Sequence, residues 1–489
     1  MTRVDQRRDY PGFSAFKAWL DRPLARWHCV MGWILSFSVF AGLVAILGGP
    51  TPGDATTSIY STWAIAHGSF SCAYPHVQRL AAPLYPLLTG ALDAILRLGD
   101  HVAFPGARQF GPHCSTAFAA IDRWSTRAHV LTRTLQLGDL SWFALMGGLV
   151  ALLRTTGRGR TGWEPFALGL VALSPPVLMP LTDYFHPMDI LAMGLALGAL
   201  AAIRRDAWIA AGLLIGLAYV SQQYALLIGA LIFIVAPAGR RLKFSLAALV
   251  IVCAIGIPLL VLTSGRALRA ILVGTGFSPS FAATVLNETG LHGSVLTDVA
   301  RAGPLLVTVV LVLWVVRRIG AAALAPDILV ALLALSLSLR LVFEVDLWGY
   351  YFMPLSVSLL LLDVMRGHVR SQTIAWLALV TLVFNPVQAY VFPSGRTYGL
   401  GTYYALAIAF LVVALLLIVL DALHRRVRWH LVAWTLLVVV TSLSRGWIYQ
   451  PSGHAFPLWF WQIVLLASAI SLAMGPLLSR TRIHAALGQ

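Results

Sequence analysis

The chain has 489 residues, of which 59% are hydrophobic and only 11% are charged, and its formal net charge at pH 7 is +16. Soluble domains are roughly 45–50% apolar and about 25% charged, so the composition excludes a soluble globular protein. The arginines form short clusters between apolar stretches, which follows the positive-inside rule of membrane proteins and argues against a nucleic-acid partner.

Apolar windows of about 20 residues, long enough to cross the hydrocarbon core as a helix, recur along the chain. The first, at 29–48, is followed by Gly-Gly-Pro-Thr-Pro-Gly rather than a small-x-small cleavage site, which predicts a retained span. Further spans are predicted at 134–153, 164–182, 186–203, 243–263, 303–316, 321–339, 352–365, 373–392, 404–421, 429–444 and 457–478. The expected fold is all-α, with residues 1–489 forming one polytopic transmembrane domain of about 14 helical passes, within two.

Residues 207–236 are apolar but begin and end beside arginine clusters of the same side. We therefore predict two tilted or half-length helices that turn at Ser221, Gln222 and Gln223, because a polar tip needs water or protein partners. Arginine placement predicts a multi-pass plasma-membrane protein with both termini in the cytoplasm.

Three loops are predicted on the outer side. The first covers 49–133 and contains two apolar stretches, 56–67 and 80–98, which suit helices lying at the membrane interface. The second covers 264–302, and the third is the short turn 340–351. Long loops are uncommon unless they have a function, so we expect the chemistry of the protein on this side.

Cys72 and Cys114 both lie in the first outer loop. An oxidising exterior permits a disulfide between them, and the alternative is two unrelated thiols. No paired Cys-x-x-Cys spacing occurs, so no metal site and no cofactor are predicted, while a requirement for a divalent metal stays open.

Acidic residues close to lipid are costly and usually have a function or a partner. Asp54 follows the first span directly, in GDATTSIY, and Tyr60 and His67 come later in the same apolar stretch. If residues 56–67 are helical, Asp54 is either a helix cap or a functional carboxylate.

The segment TDYFHPMD carries Asp183, Tyr184, His186 and Asp189 at an outer helix junction. Pro187 predicts the start of the next helix, and an acid in its first turn favours the helix dipole, which is sufficient to explain Asp189. His186 beside Asp183 and Tyr184 either hydrogen-bonds a sugar or phosphate or is a structural histidine.

The third outer turn, RLVFEVDLWGYYFMP, concentrates polar and aromatic residues, namely Arg340, Glu344, Asp346, Trp348, Tyr350 and Tyr351. The guanidinium of Arg340 either extends to lipid headgroups or binds a lipid phosphate, for which its planar fork is suited. The aromatic residues either belong to the interfacial belt or bind a sugar.

The stretches GDATTSIYSTWAIAHG, APLYPLLTGALDAIL and AWIAAGLLIGLAYVSQQYALLIGALIF resemble motifs of the GT-C membrane glycosyltransferases, in particular family 87. That family includes polyprenol-phosphate-mannose-dependent mannosyltransferases and a branching arabinofuranosyltransferase of actinobacterial envelopes. The chain departs from the family in carrying HPMD where a Gly-Gln pair is common, and in its longer first loop with two cysteines.

The resemblance implies a polyprenyl-phosphate sugar donor, transfer outside the cytoplasm and a general base in the first outer loop, which by position is Asp54. An acceptor hydroxyl must lose its proton as it attacks the anomeric carbon, and a carboxylate can take that proton. Arg340, with help from His186 and Tyr351, is then the candidate ligand of the donor phosphate. Candidates for contact with the sugar or the acceptor are Tyr60, His67, Asp183, Glu344, Trp348 and Tyr350.

The expected activity is transfer of mannose, or next arabinofuranose, to a glycolipid or polysaccharide on the outer face of the plasma membrane. A lipid-linked-sugar flippase or transporter is the first alternative, although transporters commonly carry symmetric repeats and polar groups near the midplane. A glycan polymerase or ligase would share the donor chemistry, and a noncatalytic scaffold is the last alternative. The absence of a GxGxxG stretch or a cytoplasmic domain argues against a nucleotide-sugar donor.

Overall fold

The computed structural model describes residues 11–47, 55–66, 68–69, 83–96, 137–182, 185–262, 284–345, 347–391, 400–424 and 458–487. Within these ranges the regular secondary structure is helical, and the only β contact is one isolated bridge between Pro23 and Thr161. The all-α prediction is therefore confirmed for the part of the chain that the structure describes.

The α-helices of these ranges are numbered here in chain order. They are α1 (Pro11–Leu20), α2 (Arg26–Leu47), α3 (Ala55–Ala66), α4 (Leu84–Leu96), α5 (Ser141–Leu153), α6 (Trp163–Leu173), α7 (Pro175–Thr182), α8 (Pro187–Ile203), α9 (Trp208–Ser221), α10 (Ala225–Val235), α11 (Ala238–Leu262), α12 (Gly293–Ile319), α13 (Pro326–Val342), α14 (Met353–Met365), α15 (Ser371–Val391), α16 (Leu400–His424) and α17 (Leu458–Leu487).

Three described helices are long and apolar enough to cross a membrane: α2, α11 and α12 with its extension to Leu324. Large apolar side chains on α2 and α11, such as Leu35 and Val261, are exposed on the surface of the protein. A surface of this kind needs an apolar partner, so these helices are compatible with a membrane protein.

One predicted span, 164–182, is broken in the middle. Helices α6 and α7 together pass the same test of length and composition but bend by 53° at the break between them. Ser174 has an extended backbone there, because the residue before a proline is disfavoured in the helical region and Pro175 follows directly.

The predicted turn within 207–236 is confirmed. Helix α9 ends at Ser221, Gln222 has an extended backbone, and α10 begins at Ala225. Elsewhere the predicted boundaries shift. Helix α12 begins at Gly293, so residues 293–302, predicted as the end of the second outer loop, are helical. The predicted span 429–444 lies outside the described residues.

Two pairs of helices cross with their backbones in contact. A Cβ atom built on Gly148 of α5 would overlap the carbonyl oxygen of Gly194 on α8, and one built on Gly194 would overlap the backbone of Ala144. A Cβ atom built on Gly212 of α9 would likewise overlap the carbonyl oxygen of Phe244 on α11. Small residues permit such close approach, which is how helices gain dispersion energy in an apolar solvent.

The arginine-rich loops 154–162, 204–207 and 366–370 gather at one end of the helices, here called the arginine end, together with the last turn of α12, which carries Arg317 and Arg318. Nη1 of Arg204 donates to the carbonyl oxygen of Leu324 at 2.9 Å, and Nη2 of Arg205 donates to that of Ala151 at 3.3 Å. The opposite end, here called the site end, is where α8 begins, α9 turns into α10, α13 ends and α14 begins.

Replacing Gly148 with alanine is expected to lower the apparent melting temperature in detergent, because the new methyl group meets backbone that cannot move aside. Gly147→Ala is the matched control, since nothing lies within 4 Å of a Cβ built there. Alanine is favoured over glycine inside a helix by about 1 kcal/mol, so Gly147→Ala should melt at or above the wild-type temperature. Equal melting temperatures for the two variants would contradict the close crossing of α5 and α8.

Candidate functional site

Arg340 lies in the last turn of α13 with its guanidinium between two tyrosine rings. Its Cζ atom is 5.2 Å from the ring centre of Tyr224 and 5.1 Å from that of Tyr351. Its Nε donates to Oε1 of Glu344 at 2.8 Å, four residues later. Two cation–π contacts and one ion pair therefore hold the guanidinium in a defined plane, with 15% of the side chain exposed.

The turn between α9 and α10 connects this guanidinium to the start of α8. The hydroxyl of Tyr224 donates to the backbone carbonyl oxygen of Asp189 at 2.8 Å. The amide nitrogen Nε2 of Gln222 donates to Oδ1 of the same aspartate at 3.1 Å. The polar tip that the sequence predicts thus finds its partner on α8, at the site end.

His186 approaches the same cluster from the residue before α8. Its Nδ1 lies 3.6 Å from Oδ2 of Asp189, and its ring stacks on Tyr350 with centres 4.3 Å apart. Tyr350 in turn meets Tyr351 edge to face at 4.6 Å. A continuous chain of aromatic rings therefore runs from the histidine to the ring that covers Arg340.

The carboxyl group of Glu344 is largely removed from water, since only 22% of the side chain is exposed. Desolvation raises the pKa of its carboxyl group, and the neighbouring Arg340 guanidinium only partly opposes that rise. A carboxyl group with a raised pKa is more easily protonated, and protonation would leave the charge of the guanidinium uncompensated for an incoming anion.

A buried glutamine on α17 holds the backbone around this turn. Nε2 of Gln462 donates to the carbonyl oxygen of Leu341 at 2.6 Å, and its Oε1 accepts from the backbone N–H of Val285 at 2.8 Å. Nδ2 of Asn287 adds a hydrogen bond to the carbonyl oxygen of Val345 at 3.1 Å. The end of the second predicted loop, the third turn and α17 are thereby joined.

The structure brings together five of the residues predicted from sequence, Arg340, Glu344, His186, Tyr350 and Tyr351. Trp348 lies half-buried against the hydrophobic core. Tyr60 is buried on α3, with its ring 6.1 Å from that of Trp63. The predicted residues that lie outside the described part of the chain are Asp54, His67, Cys72, Cys114 and Asp183.

Sequence reasoning missed three members of the cluster, namely Asp189, Gln222 and Tyr224. Asp189 was sufficiently explained by the helix dipole, yet its side chain is 1% exposed and faces Gln222. The signal that could have identified the others was the polar tip itself, because a turn of this kind inside an apolar segment must find polar partners.

Comparison of the chain with models of known protein families and with curated proteins finds no match.

Replacing Gln462 with leucine keeps a similar volume but removes the partners of the Leu341 carbonyl and the Val285 N–H. Leaving buried backbone groups unsatisfied is expected to lower the free energy of unfolding by about 1–3 kcal/mol. The measurement is the apparent melting temperature in detergent. Gln372→Leu is the control, because that side chain is half-buried and, within the described ranges, its one hydrogen bond comes from the adjacent Ser371. If the two variants lost the same stability, Gln462 would have no special role.

Proposed function

We propose that the protein is a GT-C type membrane glycosyltransferase that transfers a sugar from a polyprenyl-phosphate donor to a glycolipid or polysaccharide acceptor. Mannose is the first donor sugar to test and arabinofuranose the second. The observation that carries the proposal is the guanidinium of Arg340, held between Tyr224 and Tyr351 at the end opposite the arginine-rich loops.

The guanidinium is suited to a phosphodiester because of how it is held. Its Nε is occupied by Glu344, while Nη1 and Nη2 have no hydrogen-bond partner among the described residues. Arginine binds phosphate oxygens through two parallel N–H donors, and a guanidinium fixed in advance loses little entropy on binding. A polyprenyl phosphate carries such oxygens next to the bond that breaks, so the arginine would oppose the charge that develops on the leaving group.

The proposed reaction forms a bond from the acceptor hydroxyl oxygen to the anomeric carbon of the donor sugar. The bond between that carbon and the phosphate oxygen breaks, and its electron pair leaves on the phosphate. The hydroxyl proton passes to a general base, for which the resemblance to family 87 indicates Asp54. Helix α3 begins at the next residue, Ala55.

The proposed topology is a GT-C fold of about 14 passes in the plasma membrane, with both termini in the cytoplasm and the site outside. The arrangement of the arginine end supports this orientation, because loops rich in arginine remain on the cytoplasmic side. The cluster around Arg340 lies at a helix end rather than halfway along the helices, which favours a transferase over a transporter with a midplane site.

Arg340→Lys is expected to reduce turnover of the preferred donor by about tenfold or more, because lysine keeps the charge but loses the planar fork and the stacking. The assay follows release of polyprenyl phosphate by purified protein in detergent. Polyprenyl-phosphate-mannose and polyprenyl-phosphate-arabinofuranose are supplied in turn, with membrane lipid extract as the source of acceptor. Arg318→Lys is the matched control, since its guanidinium also lies over an aromatic ring, that of Trp314 at 5.8 Å, near the arginine end. Equal activity of both variants would show that Arg340 does not bind the donor phosphate.

Asp54→Asn is expected to lower turnover by about 10²–10⁴-fold while donor binding persists, because asparagine cannot accept the proton of the acceptor hydroxyl. Binding is measured with the same donor in the absence of lipid extract. A variant as active as the wild type would reject Asp54 as the base. If the wild type turns over neither donor, glycosyl transfer from these donors is itself rejected.

A further inference from the structure

A second buried polar pair lies at the site end of α5. Asp139 and Trp142 are three residues apart, and the backbone between them is helical, since the N–H of Phe143 donates to the carbonyl oxygen of Leu140. The two side chains therefore lie about one turn apart on the same face. Asp139 is 8% exposed and Trp142 is fully buried.

Each side chain of this pair has a buried atom without a hydrogen-bond partner among the residues that the structure describes. These atoms are Oδ1 of Asp139 and Nε1 of Trp142. A polar atom removed from water without a partner costs free energy, so such atoms are few in native proteins and need an explanation. One explanation is a ligand that supplies the missing hydrogen bonds.

The surroundings of the pair connect it to the cluster around Arg340. Tyr85 lies on α4 and is buried. The ring of Tyr85 meets that of Phe185 edge to face, with centres 6.4 Å apart. Phe185 also packs against Gly138, where any Cβ would collide with the ring.

Phe185 is held in a backbone conformation that is unusual for its residue type. Its φ is +57°, a region that non-glycine residues rarely adopt and that recurs at functional sites. The next residue, His186, belongs to the cluster around Arg340. Phe185 therefore connects the Asp139 pair with the proposed phosphate site. Its ring packs against Gly138, the residue before Asp139, and the residue that follows it is His186.

The chemistry of the two unsatisfied atoms selects the ligand. An ionised carboxylate oxygen only accepts hydrogen bonds, and an indole N–H only donates. A hydroxyl group does both, so hydroxyls of a sugar ring can supply a donor to the carboxylate and an acceptor to the indole. Sugars combine such hydroxyls with apolar faces that pack on aromatic rings, and the rings of Tyr85 and Phe185 contact each other near Gly138, the residue before Asp139.

We infer that Asp139 and Trp142 form a binding site for a hydroxyl group of a sugar ring. The inference rests on the proposed glycosyl transfer. The sugar belongs either to the donor, whose phosphate is assigned to Arg340, or to the acceptor that attacks it. Asp139 and Trp142 position the sugar and take no part in bond making.

The test uses Asp139→Leu and Trp142→Phe, each of which removes an unsatisfied polar atom and keeps an apolar side chain. Initial rates are measured with the donor varied at fixed lipid extract, and then with the extract varied at fixed donor. We expect the KM of one of the two to rise about tenfold or more for Asp139→Leu, because a hydrogen bond to a charged group is lost. A smaller rise in the same KM is expected for Trp142→Phe.

The substrate whose KM rises identifies the source of the hydroxyl. The apparent melting temperature of Asp139→Leu should stay the same or rise, because no buried atom loses a partner, whereas that of Trp142→Phe should fall, because the smaller ring leaves a cavity beside Phe40. Asp298→Leu on α12 is the control, since that carboxylate is exposed, and its KM values should match those of the wild type. Unchanged KM values in both test variants, or a loss of stability in Asp139→Leu without a change in KM, would overturn the inference. Failure of the wild type to turn over either donor would instead reject the proposed function, which the inference requires.

Discussion

The crossing of α5 and α8 is the contact on which the site depends. Gly148 and Gly194 let the two backbones touch, so α8 has one depth and one rotation relative to α5. The start of α8 carries His186 and Asp189, and the start of α5 follows Asp139, so the same crossing sets the distance between the two polar groups. Where no water is present to drive apolar burial, such packing and a few hydrogen bonds are what hold helices together.

The polar groups at the site end are joined by bonds that cross between helices. Gln222 and Tyr224 leave the apolar interior of their own segment and bond to Asp189, one through its side chain and one through its backbone. In a medium of low polarity each of these bonds is strengthened, and each unpaired group becomes more costly. These bonds and the contacts of Arg340 with Glu344, Tyr224 and Tyr351 hold the side chains of the cluster in place, and such preorganisation is what the proposed phosphate site requires.

The predictable part of this molecule is the part governed by local sequence. The apolar windows that fall within the described residues are helical, the polar tip at Gln222 is a turn, and Arg340 meets Glu344 because the two are four residues apart in the chain. The bend between α6 and α7 was missed, although the prolines that cause it are visible, because window averages hide a local break. The start of α12 was placed late because Asp298 and Arg301 interrupt its apolar pattern without ending the helix. The hydrogen bonds from the turn between α9 and α10 to Asp189 could not be predicted, because local sequence does not specify which apolar helices pack against each other.

The position of the site residues along the chain affects the order in which a growing protein is assembled. Asp189 meets Gln222 and Tyr224 within a stretch that leaves the ribosome long before Arg340. The aspartate therefore has neutral partners before Arg340 is synthesised, and packing of the early helices does not wait for a distant positive charge. Arg340 then arrives with its own counterion, Glu344, four residues behind it. Asp189 and Arg340 therefore each have polar partners close to them in the sequence before the two residues come together.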